Sequence, residues 1–134
     1  MKNKYVVDAG VLALYFSGDS RVKKYIDNIQ RGVAEGYLCE VNLAEFYYKT
    51  AEVLGEDVAE IRYASIRNSK IKQVPASGEL TRQAAKVKLK YRDKVSLADA
   101  YLIALARIVN GIVLTTDRRV KEILRDKCKY FPIE

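Results

Sequence analysis

Apolar residues are distributed along this chain in two patterns. Tyr5-Val6-Val7 and Ile112-Val113-Leu114 are short apolar runs without polar alternation, whereas longer stretches repeat apolar residues every three or four positions. The first pattern marks strands buried on both faces, and the second marks helices with one covered side. Tyr5-Val6-Val7 stops at Asp8-Ala9-Gly10, and Val11, Leu12, Leu14, Tyr15 and Phe16 follow at helical spacing. Beyond the break at Gly18-Asp19-Ser20, Val22, Tyr25, Ile26 and Ile29 outline one face of a second helix ending near Gly32. Gly36-Tyr37-Leu38-Cys39 reads as the next strand.

Asn42 is placed to cap a helix that turns Leu43, Phe46, Tyr47 and Leu54 inward. Gly55 separates it from a partner helix with the stripe Val58, Ile61 and Ser65. Ile71-Lys72-Gln73-Val74 before Pro75 suits a brief strand, and Leu80, Ala84, Val87 and Tyr91 form the covered side of another helix. Ser96 opens a helix, apolar nearly all round, that runs to Val109 and ends at Asn110-Gly111. A last helix from Asp117 to about Arg125 precedes Tyr130-Phe131. Strands that alternate with helices, themselves unbrokenly apolar, predict an α/β chain: a three-layer α/β/α sandwich around a mostly parallel sheet. Residues 1–134 are the length of one domain, with no repeat, linker or low-complexity segment.

Sites in open parallel sheets gather at the carboxyl ends of the strands. Asp8 follows the first strand and Asp117 follows the strand 112–114, while Glu45 and Asp99 fall one turn inside the helices starting near Asn42 and Ser96. The four acids can therefore meet at one edge of the sheet. Each acid alone is better explained by capping. Asp8 and Asp117 are good N-cap residues, Asn42-x-x-Glu45 resembles a capping box, and Ser96-x-x-Asp99 fits that pattern. Capping does not explain why apolar neighbours, Val6-Val7 before Asp8 and Leu97-Ala98 before Asp99, hold acids at equivalent ends of the layers.

Composition narrows the chemistry. With no histidine and only Cys39 and Cys128, without CxxC spacing, the chain has too few soft ligands for zinc and no histidine base. Clustered carboxylates repel one another unless a cation neutralises them, and oxygen ligands select hard ions such as Mg²⁺ or Mn²⁺. Such an ion lowers the pKa of bound water and polarises a phosphodiester, so hydrolysis needs no histidine. A formal charge of +7, from 24 basic and 17 acidic residues, favours a polyanionic partner. The N-terminus has no signal-peptide pattern, and Leu97–Val109 carries Asp99 and Arg107 and is too short to span a bilayer. A cytoplasmic, reducing location is the resulting expectation.

Four segments carry a family resemblance: Val6-Val7-Asp8-Ala9-Gly10-Val11-Leu12, Val41-Asn42-Leu43-Ala44-Glu45, Val95-Ser96-Leu97-Ala98-Asp99-Ala100 and Leu114-Thr115-Thr116-Asp117. They look like the four motifs of PIN-domain nucleases, occur in the family's order and span essentially the whole chain. The resemblance implies a sheet order of 3-2-1-4-5 and a metal-dependent endoribonuclease. Asp8, Glu45 and Asp99 would be its core acidic ligands, with Asp117 the fourth acid, acting directly or through water. Thr115 would support the cluster by hydrogen bonding, and Ser96 would cap the helix carrying Asp99. The pattern departs at Ala9-Gly10, where many members carry Thr or Ser followed by Asn or Ser. The compact chain most resembles VapC-type toxin ribonucleases, which implies a homodimer held in check by a small protein antitoxin; RNA-processing enzymes share the fold. In that sheet order the two cysteines lie three strand spacings apart, roughly 14 Å, too far for a disulfide.

Arg118, Arg119 and Lys121, directly after Asp117, are the preferred candidates for binding RNA phosphates beside the acids. Arg82, Lys86 and Asp93, with Lys90 at the flank, read more simply as a solvated helix face. Tyr48 is a weaker candidate for contact with RNA, since tyrosine beside Phe46 fits a core or dimer interface. A receiver domain fits poorly, because Asp8 has no adjacent acid and Val74-Pro75 supplies no phosphoacceptor Asp. By the same resemblance, a PIN module that binds RNA or protein without cutting is opposed by the retention of four acids, and a nuclease acting on DNA flaps by the lack of room for further acids and long insertions.

Overall fold

The computed structural model describes residues 1–133. Its elements are β1 (Lys4–Val7), α1 (Ala9–Phe16), α2 (Ser20–Gln30), β2 (Glu35–Cys39), α3 (Glu40–Leu54), α4 (Glu56–Arg67) and β3 (Lys72–Val74). They continue as α5 (Gly78–Lys90), α6 (Leu97–Val109), β4 (Ile112–Thr115), α7 (Arg118–Leu124), a 3₁₀ turn (Arg125–Lys127) and β5 (Cys128–Tyr130). The five strands form one sheet in the order β3-β2-β1-β4-β5, and every pairing is parallel. This is the order implied by the resemblance.

The alternation within β1 divides the core. Tyr5 and Val7 face the cluster holding Leu12, Ile26, Ile29, Phe46 and Ile66, while Val6 faces the one holding Leu80, Val87, Leu102, Ile103 and Val120. Thus α1 and α2 cover one face, with the buried residues of α3 and α4, and α5, α6 and α7 cover the other. Buried residues on both faces explain why β1 and β4 show no polar alternation. Cys39 and Cys128 are both buried and free.

Two details differ from the sequence expectations. The helix α3 begins at Glu40 with Cys39 as its N-cap, so Asn42 lies inside the first turn and is no cap. In α4 the covered residues are Ala59 and Ile66; Ile61 is 70% exposed, Ser65 is exposed, and Leu54 of α3 is 50% exposed. The reason is geometric. The helix α4 packs chiefly on α3, with Tyr63 edge-on to Tyr47 at 5.9 Å, so it needs only the narrow face through Ala59, Tyr63 and Ile66.

One glycine is required by contact. A Cβ on Gly36 would lie 2.7 Å from two carbons of Ile29, so α2 can seat on β2 only where β2 has no side chain. Gly36→Ala should cost about 1–3 kcal/mol by forcing Ile29 aside. Urea unfolding should show a lower midpoint, and an unchanged midpoint would mean that α2 shifts freely.

Candidate functional site

The chain leaves β1 at Asp8, which is 6% exposed and holds its carboxylate against three donors. The amide of Val11 donates to Oδ1 at 2.9 Å, making Asp8 the N-cap of α1. The hydroxyl of Thr115, at the end of β4, donates to Oδ2, as does the amide of Thr116 at 3.3 Å. Thr115 Oγ1 in turn accepts from the amide of Asp117 at 3.0 Å. One carboxylate and one hydroxyl therefore join the ends of β1 and β4 to the starts of α1 and α7.

Capping and clustering prove to be compatible. Asp117 caps α7 through the Arg119 amide at 2.8 Å. Ser96 and Asp99 form a reciprocal capping box on α6, with Asp99 N donating to Ser96 Oγ at 3.1 Å. Each nonetheless lines the same cavity of about 580 Å³ as Asp8 and Glu45. The four acids come from four different elements, because both strand ends and both helix starts open at the carboxyl edge of the sheet.

Burial raises the Asp8 carboxyl to about 6, opposed by its hydrogen bonds from Thr115, Val11 and Thr116 and reinforced by the charge of Glu45. Burial also carries Asp99 up to about 7, with Asp117 adding repulsion and a shared hydrogen bond. The acids thus interact as two pairs, Asp8 with Glu45 and Asp99 with Asp117. Among the described residues, no three His, Cys, Asp or Glu side chains are already gathered closely enough to hold an ion. The Asp99 carboxylate accepts from the Ser96 amide at 3.4 Å, and Glu45 is drawn 3.4 Å from Lys49.

Of the three expected phosphate-binding residues, Arg119 lines the cavity, while its guanidinium reaches the Lys94 carbonyl at 3.4 Å. Arg118 turns toward Glu122 at 3.8 Å and Lys121 donates to the Arg125 carbonyl at 3.0 Å, both outside the cavity lining. Tyr48 is 52% exposed and likewise outside it. Arg82 and Lys86 lie on the solvated face of α5.

Lys49 and Arg62 were missed in the sequence, and Asn42 was read there only as a cap. Lys49 and Arg62 line the cavity, and Lys49 could have been found from its position four residues after Glu45. Burial opposes the charge of Lys49, but Glu45 outweighs it and raises its pKa. Asn42, buried one turn before Glu45, donates from Nδ2 to the Ala98 carbonyl at 3.1 Å, while its Oδ1 has no partner among the described residues. It fastens α3 to the first turn of α6, beside Asp99.

A family model described as "PIN domain" matches residues 5–125. The chain belongs to the PIN-domain family. No curated protein sequence matches it significantly. Among solved structures, this PIN domain resembles a toxin-antitoxin complex from Klebsiella pneumoniae (14% identity, TM-score 0.70, covering 96% of this chain and 99% of that one). It also resembles VapBC2 from Rickettsia felis bound to a promoter DNA fragment, at 12% identity and a TM-score of 0.72 over 98% of this chain and 99% of that one. A third similar structure is Mycobacterium tuberculosis VapC20, described as a sarcin-ricin loop cleaving toxin (19% identity, TM-score 0.69, covering 89% and 94%). At these identities the likeness establishes the shared fold. No helix among the described residues is long and apolar enough to cross a membrane.

Carboxyls with folded pKa values of about 6 and about 7, against 3.8 ordinarily, bind protons more tightly in the folded protein. The stability they contribute is complete below about pH 4 and is lost as pH rises through 6 to 7. In EDTA, wild type should therefore lose stability relative to Asp8→Asn/Asp99→Asn across that window. Denaturation at several pH values measures the difference, and a pH-independent difference would contradict the assignment.

Proposed function

We propose that this PIN domain is a metal-dependent endoribonuclease that hydrolyses RNA phosphodiesters, acting as the toxin of a toxin-antitoxin pair. The observation that carries the reading is the meeting of Asp8, Glu45, Asp99 and Asp117 on one cavity, with two of these acids pushed toward neutral pKa by burial and repulsion. The donor set fits Mg²⁺ or Mn²⁺ in kind: hard oxygens, no histidine and an excess of negative charge that a divalent cation relieves. Asp8, Glu45, Asp99 and Asp117 would hold the ion once Glu45 leaves Lys49 and Asp99 turns from Ser96.

A bound ion of this kind would supply charge neutralisation and a water more acidic than bulk water. The protein's own groups do the rest. Thr115 and the amides of Val11 and Thr116 fix the Asp8 carboxylate, so its orientation is set before any ligand arrives. Arg119, at the rim, presents a guanidinium to a phosphate of the bound strand, and Lys49 offers a second cation when released by Glu45. Arg118 and Lys121, on the outer turn of α7, would meet phosphates farther along. The net charge of +7 favours RNA over neutral or basic partners.

Support for the toxin role comes from the solved relatives, two of which are a toxin-antitoxin complex and VapBC2. The partner would be a small protein antitoxin, and the active unit a cytoplasmic homodimer of single-domain subunits. A second reading, a PIN module that binds without cutting, draws on the missing side-chain hydroxyls at Ala9-Gly10.

Labelled single-stranded and structured RNAs incubated with Mg²⁺, Mn²⁺ or EDTA separate the two. Cleavage should require metal and fall by about 100-fold or more in Asp8→Asn and Asp99→Asn. Equal behaviour of wild type and both variants on every RNA would favour the binding module.

A further inference from the structure

Residue 10 is where the chain gives up a side chain at the edge of the acid cavity, and the structure shows what stands in that space. A Cβ built on Gly10 would lie 2.1 Å from Thr116 Oγ1 and 3.1 Å from Thr116 Cβ and Cγ2. The Thr116 hydroxyl thus fills the room that a side chain at position 10 would use. A side chain at position 10 would force Thr116 out of its present place.

Thr116 is well placed to use that room. It follows β4 directly, its amide donates to Asp8 Oδ2 at 3.3 Å, and both it and Gly10 line the cavity with the four acids. Its neighbour Thr115 spends its hydroxyl on Asp8 and on the amide of Asp117. The hydroxyls of the two threonines therefore have separate tasks: one is consumed in bracing Asp8, and the other faces the cavity at the place left open by Gly10.

We propose that Thr116 is a positioning residue for the cation site, its Oγ1 supplying beside Asp8 the hydrogen bond to a hydrated divalent cation that residues 9 and 10 cannot. This rests on the reading of the cavity as a metal site, but not on RNA being the substrate. The hydroxyl stands across the β1–β4 junction from the start of α1, and the missing side chain of Gly10 is the steric condition of its place there.

The test is Mn²⁺ binding by calorimetry on the full chain, together with thermal unfolding in EDTA. Thr116→Val, which keeps the shape and removes the hydroxyl, should weaken Mn²⁺ binding by about 10-fold, the size expected for an outer-shell partner. Thr116→Ser should bind as wild type does. Gly10→Ser should lower Tm through the clash with Thr116, and Gly10→Ser/Thr116→Ala should restore both Tm and Mn²⁺ affinity. Wild-type affinity in Thr116→Val, with wild type itself binding Mn²⁺, would overturn the role of the hydroxyl and leave the metal site standing. A Gly10→Ser protein as stable as the double variant would overturn the steric exchange. Failure of wild type to bind Mn²⁺ would remove the metal reading and this proposal together.

Discussion

The structure is organised around a carboxylate buried at the end of its central strand. An isolated buried carboxylate is costly, and the cost is offset only when fixed donors surround it. Asp8 finds those donors in Val11 on α1 and in Thr115 and Thr116 at the end of β4. The same residue's backbone amide donates to the Leu114 carbonyl at 3.1 Å, extending the parallel register that pairs Val7 with Leu114. Satisfying one acid thus sets where α1 starts, how β4 ends and which way Asp117 leaves the sheet. The cavity is the space bounded by those choices.

Around that fixed acid the remaining acids are held by contacts that can be exchanged. Glu45 is drawn to a solvated Lys49, and the Asp99 carboxylate accepts a long bond, 3.4 Å, from the backbone amide of the exposed Ser96. Exposed ion pairs of this type contribute little, about 0–1 kcal/mol. Asp8 is therefore preorganised, whereas Glu45 and Asp99 can be recruited at small expense. Asn42 limits how far they must travel, because its bond to the Ala98 carbonyl keeps the starts of α3 and α6 together. A site of this construction is assembled by the charge that it binds, on a backbone already in place.

Much of this was legible in the sequence, for identifiable reasons. β1 and β4 are covered on both faces, so their unbroken apolar runs reported both strands and the parallel sheet. Asp8, Asp99 and Asp117 stand at element boundaries that Gly10, Ser96 and the end of a β-branched run mark clearly. Glu45 was found even though its helix starts earlier than expected, because the position of an acid one turn inside a helix tolerates an error of two residues. The role of Asn42 was not legible, since its partner, Ala98, is 56 positions away and a buried amide looks like a cap when only local spacing is seen. The α4 stripe failed because a helix packed mainly on one neighbour need bury only a narrow face. The exchange between Gly10 and Thr116 could not be read either: it depends on the distance between two segments more than 100 residues apart in the chain, for which local patterns carry no information.

Whether the four carboxylates gather around one cation can be read from anomalous scattering of crystals grown with Mn²⁺. A peak is expected inside the cavity, within coordination distance of Asp8 and at least two of Glu45, Asp99 and Asp117, with Glu45 released from Lys49. Crystals at saturating Mn²⁺ with no peak among these four carboxylates, or with the ion bound only elsewhere on the surface, would contradict it.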